Sequence, residues 1–331
     1  MTLACHAMAT RFEIVLHGPK PVALRAAGEE ALAEIDRIEG LLSLYRNTSE
    51  IAHVNARAAE EAVRVSPAVF RLLEQARALS EATEGAFDIT IAPLVRCWGF
   101  MGGNGAMPDP AAVEEARARV GYRLIELDRA SSTVRFGRPG VMLDLGAIGK
   151  GYAIEQAVDI LREAGVSSAI VHGGTSTVYA MGHPPGLDAW RIAITHPETG
   201  ATTLANSDEH QKAVHSDAAH AAAIVSLKDE AMSVSAIWGK FFLAEGETYG
   251  HIIDPRDGRP ASRTVLAAVI LPSATETDAL STALLTVGLE GHQAIAGLRE
   301  GMRTLVIGKA GGQLCSKSKG IEVLAAAGES H

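Results

Sequence analysis

The sequence predicts an α+β fold, because strand-like and helix-like segments are mixed along it without a regular β-α-β order. Two patterns mark the extremes. Residues 21–42 place Leu32, Ile35, Ile38, Leu41 and Leu42 at helical spacing. Residues 10–16 set Phe12, Ile14 and Leu16 against Arg11, Glu13 and Val15, the alternation of a strand. A third observation concerns organisation: with no internal repeat and no linker-like stretch, all 331 residues are assigned to one large domain of mixed sheets and helices.

Taken in order, the first helix ends at the polar turn Ser43-Leu44-Tyr45-Arg46-Asn47-Thr48-Ser49-Glu50. Ser66-Pro67 supplies an N-cap and first-turn proline for a helix over about Pro67–Ala82. Gly85-Ala86-Phe87-Asp88-Ile89-Thr90-Ile91-Ala92-Pro93-Leu94 and Cys97-Trp98-Gly99-Phe100 precede a loop rich in Gly, Asn and Pro. A polar helix near 110–120 and strands near 124–127 and 133–136 come next. Val141–Leu145 then reads as a strand running through a glycine-punctuated turn into a helix that reaches about Ala164. Ile154, Ala157, Val158 and Leu161 form its buried stripe and Gly165 its stop. Further strands are expected near 168–171, 177–181 and 190–195. The polar, histidine-containing stretch 196–220 reads as a surface insertion. Strands near 222–227, 241–244, 248–253 and 265–271, helices near 275–287 and 290–301, and a strand near 304–307 complete the chain; Glu245-Gly246-Glu247 is the expected hairpin turn.

Composition excludes several classes. The chain carries 39 acidic against 30 basic residues and has no dense basic cluster, which argues against a nucleic-acid partner. Its three cysteines, Cys5, Cys97 and Cys315, form neither a CxxC pair nor a disulfide framework. No apolar run approaches the roughly 18 residues of a membrane-spanning helix. Leu3-Ala4-Cys5 resembles the end of a lipoprotein cleavage site, but no hydrophobic segment precedes it. The expectation is a cytoplasmic protein as the chain stands, or a periplasmic, membrane-associated one if an export segment was removed.

Three places could carry chemistry. The turn after Leu145 leads into a helix N-terminus, whose free N–H groups favour an anion such as phosphate. Asp144 and Lys150 bracket it with both charge signs. It fits neither the P-loop nor the dinucleotide fingerprint, so a tight connection serving only packing remains an alternative. Asp278 and Thr282 share one helix face, a turn apart, and offer hard oxygens to Mg²⁺ or Ca²⁺; Thr275 with Asp278 could instead be a helix cap. His251 sits at a strand end before a Pro- and Gly-containing loop, as a catalyst or an ordinary hydrogen-bonding residue. Phe87 and Tyr45 suit either the core or the wall of a planar ligand site. GxSxG and HExxH are absent.

Read together, Asp144-Leu145-Gly146-Ala147-Ile148-Gly149-Lys150-Gly151-Tyr152, His251-Ile252-Ile253-Asp254-Pro255-Arg256-Asp257-Gly258-Arg259-Pro260 and Thr277-Asp278-Ala279-Leu280-Ser281-Thr282-Ala283 occur in the order found in the ApbE family of FAD:protein FMN transferases. Met8-Ala9-Thr10 resembles that family's Met-Gly-Thr. Leu44-Tyr45-Arg46 before Ser49-Glu50-Ile51, with Asn55, resembles its Tyr-Arg turn, and Gly85–Asp88 with Pro93-Leu94 and Trp98-Gly99-Phe100 a further block. The resemblance extends over nearly the whole chain. Ser233-Val234-Ser235-Ala236 stands where the family often has Thr-Ser-Gly, and Gly173-Gly174-Thr175 where it has Gly-Gly-Asp.

The resemblance implies an ApbE-like, T-fold-like architecture and Mg²⁺-dependent transfer of FMN from FAD to a threonine hydroxyl of an acceptor protein, with release of AMP. It places Met8, Tyr45, Ala86, Phe87, Asp88, Asp144, Lys150 and Ile252 against FAD. Asp278, Thr282 and the Ala147 carbonyl would hold the metal, and Ser281 stands where some members carry a further metal-binding aspartate. His251 falls at the family's candidate general base. The same site would split FAD to FMN and AMP if water replaced the acceptor, or would only bind FAD if turnover were lost.

Overall fold

Eight antiparallel strands build the main sheet of the protein, here described from a computed structural model covering residues 1–197, 221–237, 240–244 and 246–324. In chain order they are β1 (Thr2–Ala7), β2 (Thr10–Leu16), β6 (Ala169–Gly173), β7 (Thr177–Met181), β10 (Glu230–Ala236), β13 (Thr264–Leu271), β14 (Arg303–Ala310) and β15 (Gln313–Lys319), and they lie side by side in that same order. The intervening numbers belong to three smaller sheets. These are β3 (Val63–Arg64), β4 (Ile125–Asp128) and β5 (Thr133–Phe136); the ribbon of β8 (Trp190–Thr195) and β9 (Ala221–Leu227); and the pair β11 (Phe241–Ala244) and β12 (Glu247–Gly250).

Both faces of the main sheet are covered, and β13 records this in its sequence. Ala267, Val269 and Leu271 enter the larger core beneath the helices, whereas Leu266, Ala268 and Ile270 enter a second core under the β8–β9 ribbon. Strict alternation of two apolar sets gives the continuous apolar run expected of a strand buried on both sides. The helical layer consists of α1 (Pro21–Leu42), α6 (Gly149–Glu163) and α7 (Ala274–Ala296). The remaining α-helices among the described residues are α2 (Glu50–Arg57), α3 (Pro67–Ala82), α4 (Ala92–Cys97) and α5 (Pro110–Arg117). No helix among the described residues is long and apolar enough to cross a membrane.

The mixed fold agrees with the sequence, and several elements differ in detail. Val141–Leu145 is extended but joins no sheet. The Asn55 side chain satisfies it instead, accepting from the Leu143 N–H at 2.7 Å and donating to its carbonyl at 3.0 Å, while the Asp144 N–H reaches the Ile89 carbonyl at 2.7 Å. A side-chain amide carries one donor and one acceptor face, as a neighbouring strand does. The expected strand 248–253 stops at Gly250, and its continuation makes only a bridge between Ile253 and Pro260. The two expected C-terminal helices are present and meet at a kink at Gly288, the second ending at Ala296; the Gly288 φ of 63° is open to glycine, and a Cβ there would lie 2.5 Å from the Thr264 hydroxyl. Leu3-Ala4-Cys5 lies inside the edge strand β1, with Cys5 opposite Phe12. From residue 198 onward, the expected insertion at 196–220 lies outside the described residues.

Helices α6 and α7 approach closely at Gly151. A Cβ there would stand 2.1 Å from the Ala274 carbonyl oxygen and 2.8 Å from the Asp278 Cβ, both on the facing helix. Overpacking of this kind costs about 1–3 kcal/mol. Gly151→Ala is therefore expected to lower stability by at least about 2 kcal/mol, read as a fall in the denaturant midpoint; an unchanged midpoint would mean that the helices separate freely.

Candidate functional site

The α6 N-terminus has no cap of its own, since the residue before it is Ile148. The cap comes from α7, where Asp278 Oδ2 accepts from the Gly151 N–H at 2.9 Å. Helix α6 returns the contact, because Glu155 accepts from the Thr275 N–H and from the Ser273 hydroxyl, both at 2.8 Å. Each helix thus supplies a carboxylate to the start of the other. The box within α7 is Ser273 with Glu276, the serine oxygen accepting from the Glu276 N–H at 3.2 Å, so Asp278 is not spent on its own helix's cap as the Thr275 reading supposed.

Around Asp278 lies a set of buried hydroxyls. Ser233 donates to Thr277 at 2.9 Å and to Thr177 at 3.1 Å, and Thr177 donates to Asp278 Oδ1 at 3.4 Å. Ser235 sits 2.9 Å from the Ser281 hydroxyl and 3.3 Å from that of Thr282. Ser281 and Thr282 also donate back to the Asp278 carbonyl, at 3.0 and 3.3 Å. Ser281 is fully buried with partners on both sides, while Thr282 is half-buried. The serines of β10 disguise that strand in the sequence, yet they tie the sheet to the Asp278 region.

On the side of Lys150, the residue that faces Asp278, opens a cleft of about 410 Å³. Met8, Tyr45, Asp144 and Lys150 line it, together with Gly146, Gly149 and the Glu39–Arg46 pair. Met8 and Ala9 form the tight turn between β1 and β2, both at positive φ, 50° and 57°. Tyr45 is 65% exposed on a turn clamped by Ser49, which donates to the Ser43 carbonyl, and by Arg46, which pairs with Glu39 at 2.6 Å. At the floor, desolvation pushes the Asp144 carboxyl up, opposed by the Gly146 N–H and the Lys150 ammonium. The Lys150 ammonium donates to the Gly146 carbonyl at 3.0 Å and lies 3.9 Å from Asp278 Oδ1. Ala147 occupies the same turn as Gly146.

Residues from Ala86 to Asp88 are placed differently. Ala86 and Phe87 belong to the core, 1% and 2% exposed, and the Phe87 ring packs there and lines neither cavity. The Asp88 carboxylate accepts from the Thr90 hydroxyl and N–H, at 2.6 and 2.8 Å, and from the Tyr122 N–H at 2.6 Å. Burial pushes this carboxyl up against those three donors. Asp88 borders a second, smaller cavity of about 210 Å³ with Gly85, Tyr122 and Arg256.

His251 comes directly after β12. Its Nδ1 lies 3.2 Å from the Lys240 carbonyl, which can only accept, so this nitrogen carries the proton and the neutral ring keeps its lone pair on Nε2. Phe100 meets the ring edge-on at 6.5 Å, and Phe242, Tyr249 and Trp98 stack behind it. Burial chiefly lowers the His251 pKa, and the charges of Lys240 and Lys150 add to that effect. Ile252 is half-buried against the main core, its carbonyl accepting from the Ala261 N–H at 2.9 Å.

No group of three or more His, Cys, Asp or Glu among the described residues could hold a metal ion. The hard oxygens that gather here are one buried carboxylate, hydroxyls and a turn of backbone carbonyls. A donor set so short of carboxylates suits Mg²⁺, which keeps waters and takes oxygens from a bound phosphate, better than a cation needing a full protein cage.

Comparison with known proteins shows the family. The ApbE family profile matches residues 8–306. The chain is 31% identical over 307 residues to a FAD:protein FMN transferase of Treponema pallidum, spanning 88% of this chain and 79% of that protein. It is 32% identical over 270 residues to one of Vibrio cholerae, spanning 80% and 75%. The ApbE protein of Thermotoga maritima superposes with a TM-score of 0.80 at 27% identity, over 95% of this chain and 96% of that one. The apo flavinyl transferase ApbE of Pseudomonas stutzeri gives 0.79 at 28%, over 97% and 94%. With its mixed sheet-and-helix fold, its ordered sequence blocks and these matches, the chain belongs to the ApbE family.

Proposed function

We propose that the protein transfers FMN from FAD to a threonine hydroxyl of an acceptor protein, releasing AMP. The observation that carries this reading is the convergence of Met8, Tyr45, Asp144 and Lys150 on one cleft beside Asp278, in a chain whose relatives are transferases of this kind. Tyr45 offers an exposed ring to a planar group, and Asp144 can accept from ribose or adenine donors. Lys150 offsets phosphate charge. A Mg²⁺ ion held by Asp278, Thr282 and the Ala147 carbonyl would neutralise charge on the diphosphate as a Lewis acid. Ser281 supports that group through Ser235 and the Asp278 carbonyl.

In the reaction the threonine oxygen bonds to the FMN-side phosphorus, and the bond from that phosphorus to the bridging oxygen breaks. AMP departs with the electron pair. The threonine proton passes to His251 Nε2, the free position of the neutral ring. Little covalent work falls to the protein, which aligns attacker and leaving group and stabilises charge.

Incubation with FAD, Mg²⁺ and an acceptor carrying a target threonine tests the reading. Flavin fluorescence that stays with the denatured acceptor supports it. Free FMN with AMP would mean hydrolysis, bound unchanged FAD a binding protein, and either result overturns transfer. Asp278→Asn keeps an oxygen for the Gly151 N–H but loses the charge; metal-dependent activity is expected to fall by about 100-fold with little change in melting temperature. Asp278→Ala should in addition cost about 1 kcal/mol through the lost helix cap.

For His251→Gln, turnover is expected to fall by about 10²–10⁴ while FAD affinity holds. Because the folded protein lowers this pKa below its ordinary 6.5, the ring stays neutral as pH falls through that value. The acid limb of the kcat/KM profile, which reports groups of the free protein, should therefore lie below pH 6.5 and vanish in the glutamine variant; a limb above that pH would remove His251 as the base.

A further inference from the structure

The Lys150 ammonium already occupies a cation's place. It bonds the Gly146 carbonyl at 3.0 Å and faces Asp278 Oδ1 at 3.9 Å, with the lysine side chain 23% exposed and that of the aspartate 6%. Those two contacts come from the same turn and the same helix that supply the proposed metal ligands. The other carboxylate oxygen, Oδ2, is held by the Gly151 N–H at 2.9 Å, while Oδ1 has only the long contact from the Thr177 hydroxyl at 3.4 Å, so Oδ1 is the oxygen with room for a cation. An ammonium and a divalent ion cannot share one buried oxygen without strong repulsion, because Coulomb energy between charges this close is large when little water screens them. Lysine also has the means to leave, as a compact point charge on a flexible stem that binds phosphate well.

We infer that Lys150 is a resident cation that competes with the divalent metal for Asp278, so that the metal binds tightly only when a diphosphate draws the ammonium away. The inference rests on the metal reading above. Its consequence is ordered loading. The free protein keeps a charge-compensated carboxylate without any metal, and ligand and metal then strengthen each other's binding by the same factor. Removal of the lysine charge should release the metal site from this control.

The test uses Mn²⁺ as the metal probe and ADP as the diphosphate probe, with free and bound Mn²⁺ read by electron paramagnetic resonance and corrected for Mn²⁺–ADP formed in solution. In the wild-type protein ADP is expected to tighten Mn²⁺ binding by about tenfold or more. Lys150→Gln is expected to bind Mn²⁺ alone about tenfold more tightly than wild type and to lose most of the ADP effect, whereas Lys150→Arg, which keeps the charge, stays weak without ADP. Absence of an ADP effect in the wild-type protein overturns the inference whether or not the glutamine variant folds. Equal Mn²⁺ affinity in wild type and Lys150→Gln, with binding abolished by Asp278→Asn, overturns the inference and leaves the metal reading standing. No Mn²⁺ binding by the wild type, with or without ADP, overturns both.

Discussion

The close approach of α6 and α7 at Gly151 is the constraint on which the site depends. A helix start without its own capping side chain is pressed against a second helix, and the carboxylate that closes it, Asp278, belongs to that neighbour. The return contact from Glu155 fixes the second helix start in the same stroke. Free N–H groups at a helix end are costly unless something accepts from them. Reciprocal closure meets that need at both ends and, as a by-product, holds a partly committed carboxylate next to Lys150, which lines the cleft.

The hydroxyls of Thr177, Ser233, Ser235, Thr277, Ser281 and Thr282 extend this junction into the main sheet. Buried polar networks are stabilising when every member has a partner, and specific because few other arrangements satisfy them all. Helix geometry sets the start of α6, which lends the cleft Gly149 and Lys150, and the Met8–Ala9 turn and the clamped Tyr45 loop complete its lining.

Much of this architecture can be read from the chain. Pro21–Leu42 and Pro67–Ala82 carry complete helix patterns, with proline at the start and, for the second, a serine cap, and the structure has the same bounds. Strands β2 and β13 are equally clear, one by alternation and the other by an unbroken apolar run. Strands β10 and β15 are not. In β10 the buried positions include Ser233, whose partners lie far away in sequence, and β15 is an exposed edge of lysines and serines. Val141–Leu145 misleads for the opposite reason, since its pairing comes from one amide side chain and not from a strand. Of the site, Asp144, Lys150 and Asp278 stand out as charges beside glycines or on one helix face. Glu155 and the serines of β10 give no such signal, because their meaning lies only in contacts across the chain.

The position of Glu155 bears on how proteins of this kind can diverge. It faces neither cavity, carries no chemistry and sits midway along a helix, yet it closes the turn from which Asp278 projects. Selection acting on the cleft would therefore be felt at this half-buried scaffold position. An alignment of descendants would give it the signature of an active-site residue, although its task is that of a keystone.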